Sequence, residues 1–334
     1  MKNKKSTAIS LVAILVVSLF AACAGPVQAG VITLNWVSFR PSNHGAVISI
    51  RENFFDKITE RTGGRVVIEY RGGPEVMTAA DLGIAVSNGT VDIADLFMGA
   101  YAPVVPGIGG ASLTQFSPAE ERANGAFEFM SAMHEKAGIK YLGRPAPQEI
   151  NYFYTWIKGS KKPETKADIS ALRIGTAAGS MHAVSAWGVN PTMVQVPENF
   201  EALQSGIVDA IAGQPSEGAI ANGWDALCNY AIDHPYFQST ALLIMNLNKW
   251  NSFPDDIKQI IMECVVEGEN AVLAIRHTQE MEYRKVVESK GVEYIKLPPD
   301  VADWYLTQAY EGSWAAEIAN YPDVAPKLKE LLSR

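Results

Sequence analysis

The chain has 334 residues, 48% of them apolar and 19% charged, with a formal net charge of −8. That composition supports a sizeable core and excludes a disordered chain. The acidic balance argues against a nucleic-acid partner, which requires a basic face, and the length suits two domains of ordinary size.

Lys2, Lys4 and Lys5 precede an apolar run from Ala8 to Ala22, broken only by two serines. Fifteen helical residues span roughly 22 Å, short of the ~30 Å hydrocarbon core of a bilayer. Val27-Gln28-Ala29 supplies the small-residue site of a signal peptidase. Residues 1–29 are therefore expected to be a secretory signal, leaving an exported, periplasmic mature chain from Gly30. The alternatives are an uncleaved anchor, or acylation at Cys23, although Phe20 stands where a lipoprotein signal usually has leucine. Beyond the leader only Cys228 and Cys264 remain, and buried thiols are favoured over a disulfide.

Ile32, Leu34 and Trp36 alternate with polar residues, so Val31 to Phe39 reads as a strand. Ser42 and Asn43 offer N-cap oxygens to a helix whose apolar face is Ala46, Ile50, Phe54 and Ile58. Gly63-Gly64 ends it and Arg65 to Tyr70 forms the next strand. Strand, helix and strand in so short a stretch make a βαβ unit, hence a parallel α/β sheet. A second unit runs from the helix Ala79–Ser87 to the strand Val91–Phe97. Asn88-Gly89-Thr90-Val91-Asp92 is echoed 117 positions later by Ser205-Gly206-Ile207-Val208-Asp209, which suggests two related lobes. From Pro254 to about Ser289 no proline interrupts, and Gly268 is the lone interior glycine. The stretch predicts a helix of some 35 residues, long enough to span both lobes and with a possible kink at Gly268.

Catalytic signatures are missing from the sequence. Gly175-Thr176-Ala177-Ala178-Gly179-Ser180 lacks the lysine of a phosphate loop. There is no G-x-S-x-G elbow. His44, His134, His182, His234 and His277 lie too far apart for a ligand spacing, so neither metal nor cofactor is expected. Aromatics instead gather where strands end: Trp36 and Phe39, then Phe97 and Tyr101, then Tyr152 to Trp156. Open α/β sheets bind ligands beyond those ends, which makes these side chains candidates for a pocket wall, with core packing as the competing reading.

The order of several motifs resembles the TRAP solute-binding proteins of the dicarboxylate-binding (DctP-like) family. They are Thr62-Gly63-Gly64-Arg65-Val66, Gly89-Thr90-Val91-Asp92-Ile93-Ala94, Lys162-Pro163 with Ala167-Asp168-Ile169, and Ala171-Leu172-Arg173-Ile174. Glu201 to Asp209, the most specific stretch, is followed by Asn246-Leu247-Asn248-Lys249-Trp250 and Phe253-Pro254-Asp255-Asp256. The resemblance implies an α/β, two-lobed periplasmic binding protein with a hinge and a long lobe-spanning helix. It places residues 30–152 and about 237–280 in lobe I, and 153–236 and about 281–334 in lobe II. It further implies no enzymatic activity, a small organic solute, and small and large membrane subunits that receive it.

At the ligand-anchoring positions this sequence departs from the family. The arginine that clamps a substrate carboxylate matches Gly175, a second arginine found in one branch matches Thr155, and a polar anchor matches Gly213. Val196 matches a position that often faces ligand, and Glu75 one that lies near the pocket and suits an amine. The glycines are expected to vacate volume for a bulkier ligand or a neighbouring aromatic. A carboxylate closed in without a cation is costly, so the expected ligand is neutral, alcoholic, amine-bearing or aromatic. The alternative is an organic acid held by Arg40, Arg144 or Lys158, or by Arg173 if the match slips by two residues. A secreted enzyme or a ligand-sensing subunit on the same fold is the reading from another class.

Overall fold

A computed structural model describes residues 30–145, 152–238 and 241–334. The leader and Cys23 lie outside the described residues. In chain order the strands are β1 Ile32–Ser38, β2 Val66–Gly72, β3 Ile93–Phe97, β4 Ile139–Gly143, β5 Tyr154–Ile157 and β6 Ile174–Thr176. They continue with β7 Thr192–Met193, β8 Ala210–Gln214, β9 Tyr230–Ile232, β10 Ala241–Asn246 and β11 Glu293–Ile295. Two sheets result, ordered β2-β1-β3-β10-β4 and β11-β9-β5-β8-β6-β7. β1 pairs in parallel with β2 and β3, as the βαβ pattern requires, while β10 runs antiparallel between β3 and β4. Each sheet carries apolar clusters on both faces, so the chain folds as two α/β lobes.

The first helical segment runs from Gly45 to Arg61 and contains a π-helical turn at Arg51–Phe55. Ala46, Ile50, Phe54 and Ile58 are all buried, as their spacing predicts. Its cap differs from expectation. His44 holds extended backbone at the N-cap, and its Nδ1 accepts from the Ala46 amide at 3.1 Å, so Ser42 and Asn43 are left in the preceding turn. The echoed pentapeptides are structurally alike: Gly89 and Gly206 take φ of +82° and +73°, each ending a helix just before a strand. Only glycine reaches that region without a Cβ penalty.

The chain passes between the sheets from β4 to β5, from β9 to β10, and along the helix Asp255–Ser289. That helix has 35 residues, roughly 52 Å at the standard rise. Its first half packs Ile257, Ile261, Cys264 and Val265 under the first sheet, whereas Val287 joins a cluster of the second. Helical structure is continuous through Gly268, whose role is close approach: an added Cβ would meet the Phe54 ring at 2.7 Å. Gly268→Ala is therefore expected to destabilise the protein by about 1–3 kcal/mol, although alanine is the better helix former. Urea denaturation midpoints test this, and an unchanged or raised midpoint would refute it.

Cys228 and Cys264 are free and buried, in clusters of different lobes. The last helix, Ala325–Leu332, places Leu328 and Leu332 in the same cluster as Leu96 and Tyr141 of the first sheet. It thus departs from the expected assignment of 281–334 to lobe II, because its apolar face finds its partner across the chain crossing. Among the described residues no helix is long and apolar enough to cross a membrane.

Candidate ligand-binding cleft

The strands' carboxyl ends define two rims. On the first, Trp36 is core rather than wall: it packs edge-on to Phe55 and Tyr70, and its Nε1 donates to Asp95 Oδ1 at 2.9 Å. Asp95 is fully buried and also accepts from Ser38 Oγ at 3.0 Å and Arg40 Nη1 at 2.9 Å. Trp36 therefore bears on the rim through the carboxylate that tethers Arg40. Arg40 lies 4.0 Å over the Phe39 ring, and Phe39 meets Phe97 edge-to-face at 5.3 Å. Burial lowers the Arg40 pKa, Asp95 opposes that, and the positive charge of Arg276 adds a smaller lowering. Glu75 is satisfied within its own turn. Its Oε1 accepts from the Gly73 amide at 2.6 Å, and that backbone bond holds its pKa below the usual value.

On the second rim the predicted residues separate. Gly175 faces an aliphatic layer, where a Cβ would meet Ile211 and Val194 at 2.9 Å each. Val196 packs against that same layer. Thr155 is buried on the other side of the sheet, with its hydroxyl 2.7 Å from that of Tyr305. Gly213, at φ +73°, sits in a register shift between β5 and β8, and a Cβ there would lie 2.5 Å from Ser180 Oγ. The glycines do not vacate volume, because valine, isoleucine and serine side chains already fill it. The bulge also carries the next residue, Gln214, to the strand end opposite Tyr154.

Several rim residues had no sequence signal of their own. Phe237, in the crossing from β9 to β10, packs edge-to-face with Phe153 at 5.9 Å and comes within 3.0 Å of where a Gly179 Cβ would stand. Arg276 pairs with Glu217 at 3.2 Å, and Tyr152 bonds His277 at 2.8 Å. Arginine and histidine in mid-helix and an isolated phenylalanine in a loop follow no motif. Only the fold brings them to one place.

The remaining cations are engaged elsewhere. Lys158 Nζ caps a helix end through the Leu203 carbonyl at 2.7 Å, and Arg173 forms an exposed fork on Asp209. Arg144 is buried where the three inter-lobe connections meet. Its guanidinium contacts Glu121 at 2.9 Å, Gln238 Oε1 at 3.1 Å and the Phe116 carbonyl at 3.0 Å, and its amide donates to Glu269 Oε1 at 2.7 Å. Beside this node runs a groove of about 520 Å³, lined by Phe116, Glu120, Asp233, Gln238, Lys296 and Leu306 among others. It lies away from the glycines and arginines of the rims, since neither Gly175, Gly213, Arg40 nor Arg276 lines it.

Glu280, on the long helix near Glu217 and Arg276, accepts from Ser216 Oγ at 2.5 Å. Burial raises its pKa to about 7, with Ser216, Tyr154 and Arg284 opposing and Glu217 reinforcing. The folded state therefore holds a proton that the unfolded state releases near pH 4.5, so stability falls as pH rises from about 4.5 to 7. Glu280→Gln should remove about 2–3 kcal/mol of that slope. Thermal melts of both proteins across this range check it, and parallel pH profiles would disprove it.

Residues 37–311 match the bacterial extracellular solute-binding protein family 7 (DctP). The chain belongs to this family. Solved structures agree on the fold. A TRAP periplasmic solute-binding protein of Rhodobacter sphaeroides, apo and open, is 18% identical over 90% of this chain and 98% of its own, with a TM-score of 0.77. An extracytoplasmic solute receptor of Bordetella pertussis that binds pyroglutamic acid is 18% identical over 90% and 99%, with a TM-score of 0.68. A TRAP protein of Haemophilus influenzae with bound L-gulonate gives 18%, 90%, 99% and 0.66. Family 7 members are extracytoplasmic solute receptors of TRAP transport and not enzymes. The family implies a small organic ligand and membrane TRAP components as partners.

Proposed function

We propose that this family 7 receptor, freed of residues 1–29, closes its two lobes on a solute that is not a simple carboxylate. It then delivers that solute to the small and large membrane subunits of a TRAP transporter. The observation that carries the ligand reading is charge balance at the rims. Arg40 is matched by Asp95 and Arg276 by Glu217, while position 175 is sealed by Ile211 and Val194. A carboxylate entering there meets no unmatched guanidinium fork of the kind that holds such groups. Closure follows from population shift, since the ligand touches both lobes only when they are shut.

A thermal-shift panel of acids, amines, polyols and aromatic compounds tests the proposal. A ligand at ~100 times its Kd adds about 2.7 kcal/mol to folding stability. The largest shifts are expected outside the simple acids. A second reading, an organic acid between Arg40 and Arg276, is favoured by the positive charge that Arg276 brings to bear on Arg40 and by the acids bound to two relatives. Largest shifts with acids, abolished in Arg40→Gln and Arg276→Gln, would establish it instead.

A further inference from the structure

The rims expose apolar surface where a carrier of polar acids has little use for it. Phe97, at the carboxyl end of β3, is 39% exposed and is the single aromatic among the large apolar side chains exposed to that degree in the described residues. Val76, just past β2, is 54% exposed. On the second rim Met193 closes β7 at 57% exposed, and Phe237 is half-buried over Gly179. A side chain at 179 would collide with the Phe237 ring at 3.0 Å, so glycine there lets the ring lie against the turn Ala178–Ser180. In both phenylalanine pairs the rings stand edge-to-face, at 63° for Phe39–Phe97 and 85° for Phe153–Phe237. Such pairs leave a ring face or edge open to a third ring.

We infer that the solute carries an aromatic ring, gripped between Phe39–Phe97 of one lobe and Phe153–Phe237 on the other side of the cleft. The inference rests on the proposed inter-lobe cleft and narrows its ligand class. The ring supplies the burial that both rims lack while the lobes stand apart, and the paired arginines and carboxylates around it orient polar substituents. Aromatic specificity resides in Phe97 and Phe237, whose rings are the more accessible member of each pair.

The test uses matched probes on the mature chain by calorimetry: phenylacetate against cyclohexylacetate, and benzylamine against cyclohexylmethylamine, with a set of polyols and sugar acids alongside. In at least one pair the aromatic member should bind about ten-fold tighter, the scale of one good ring–ring contact. Phe97→Leu and Phe237→Leu should each cut that ratio to about two-fold while holding the cyclohexyl probe within about two-fold, because leucine keeps apolar bulk but not the ring. Equal affinity within both pairs, or a ratio untouched by both variants, overturns the clamp. If a polyol or sugar acid binds while neither pair shows ring preference, the clamp falls and the receptor cleft stands. If no probe of any class binds, both fall.

Discussion

Arg144→Met is expected to destabilise the protein by about 3–5 kcal/mol, the range for removing one partner of a buried ion pair. Arg144 and Glu121 are both almost fully inaccessible, and burial raises the Glu121 pKa while Arg144 opposes it. Without the guanidinium, the Glu121 carboxylate keeps Thr114 Oγ1 at 2.7 Å but loses its close buried counter-charge. Gln238 and the Phe116 carbonyl lose their contacts as well. The location adds a second expectation. Arg144 opens the β4–β5 connection, Gln238 lies in the β9–β10 connection, and Glu269 is on the long helix, so one cluster ties all three inter-lobe crossings. A double variant, Arg144→Met with Glu121→Leu, should recover most of the loss, since replacing a whole buried pair by apolar groups is close to neutral. Urea denaturation of wild type and both variants decides it, and a single-variant loss under about 1 kcal/mol, or a double variant no better than the single, would sink the argument.

Gly175→Arg asks whether the family's carboxylate clamp can be restored. It is expected to fail and to lower stability by about 3 kcal/mol or more. The first atom of the new side chain already strikes Ile211 and Val194 at 2.9 Å, with Val208 at 3.3 Å. Overpacking costs about 1–3 kcal/mol by itself, and the guanidinium would have to leave an aliphatic layer or remain in it without a partner. Thermal melting with and without a panel of organic acids separates the outcomes. A stable variant that gains acid binding would mean that residue 175 reaches the cleft after all.

The regular elements were readable because their periodicities are local. The alternation through Trp36, the four-residue spacing from Ala46 to Ile58 and the proline-free run after Pro254 each became the element expected. The glycine after each echoed helix was legible for the same reason, since a positive φ is a one-residue property. The family's motif order carried the architecture. The site was far less legible. A motif match locates residue 175 or 213 along a strand but not the side to which it points, and a bulge at Gly213 shifts the register by one. The close approach at Gly268 was not legible, because the ring it accommodates, Phe54, lies more than two hundred residues away in sequence. Phe237, Arg276 and Glu217 reach the rims from a loop and two helices, a meeting that only tertiary packing brings about.

The groove beside the Arg144 node is walled by Phe116 and Glu120 from one lobe and by Lys296 and Leu306 from the other. Its capacity must change whenever the angle between the lobes changes. At about 520 Å³ it has room for on the order of fifteen water molecules at their liquid volume. If the lobes close as proposed, closure is coupled to the uptake or expulsion of water in this groove, whose lining includes none of the rim glycines or of Arg40 and Arg276. The affinity for solute should depend on osmotic pressure, and the direction of that dependence reports whether the groove drains or fills as the receptor shuts.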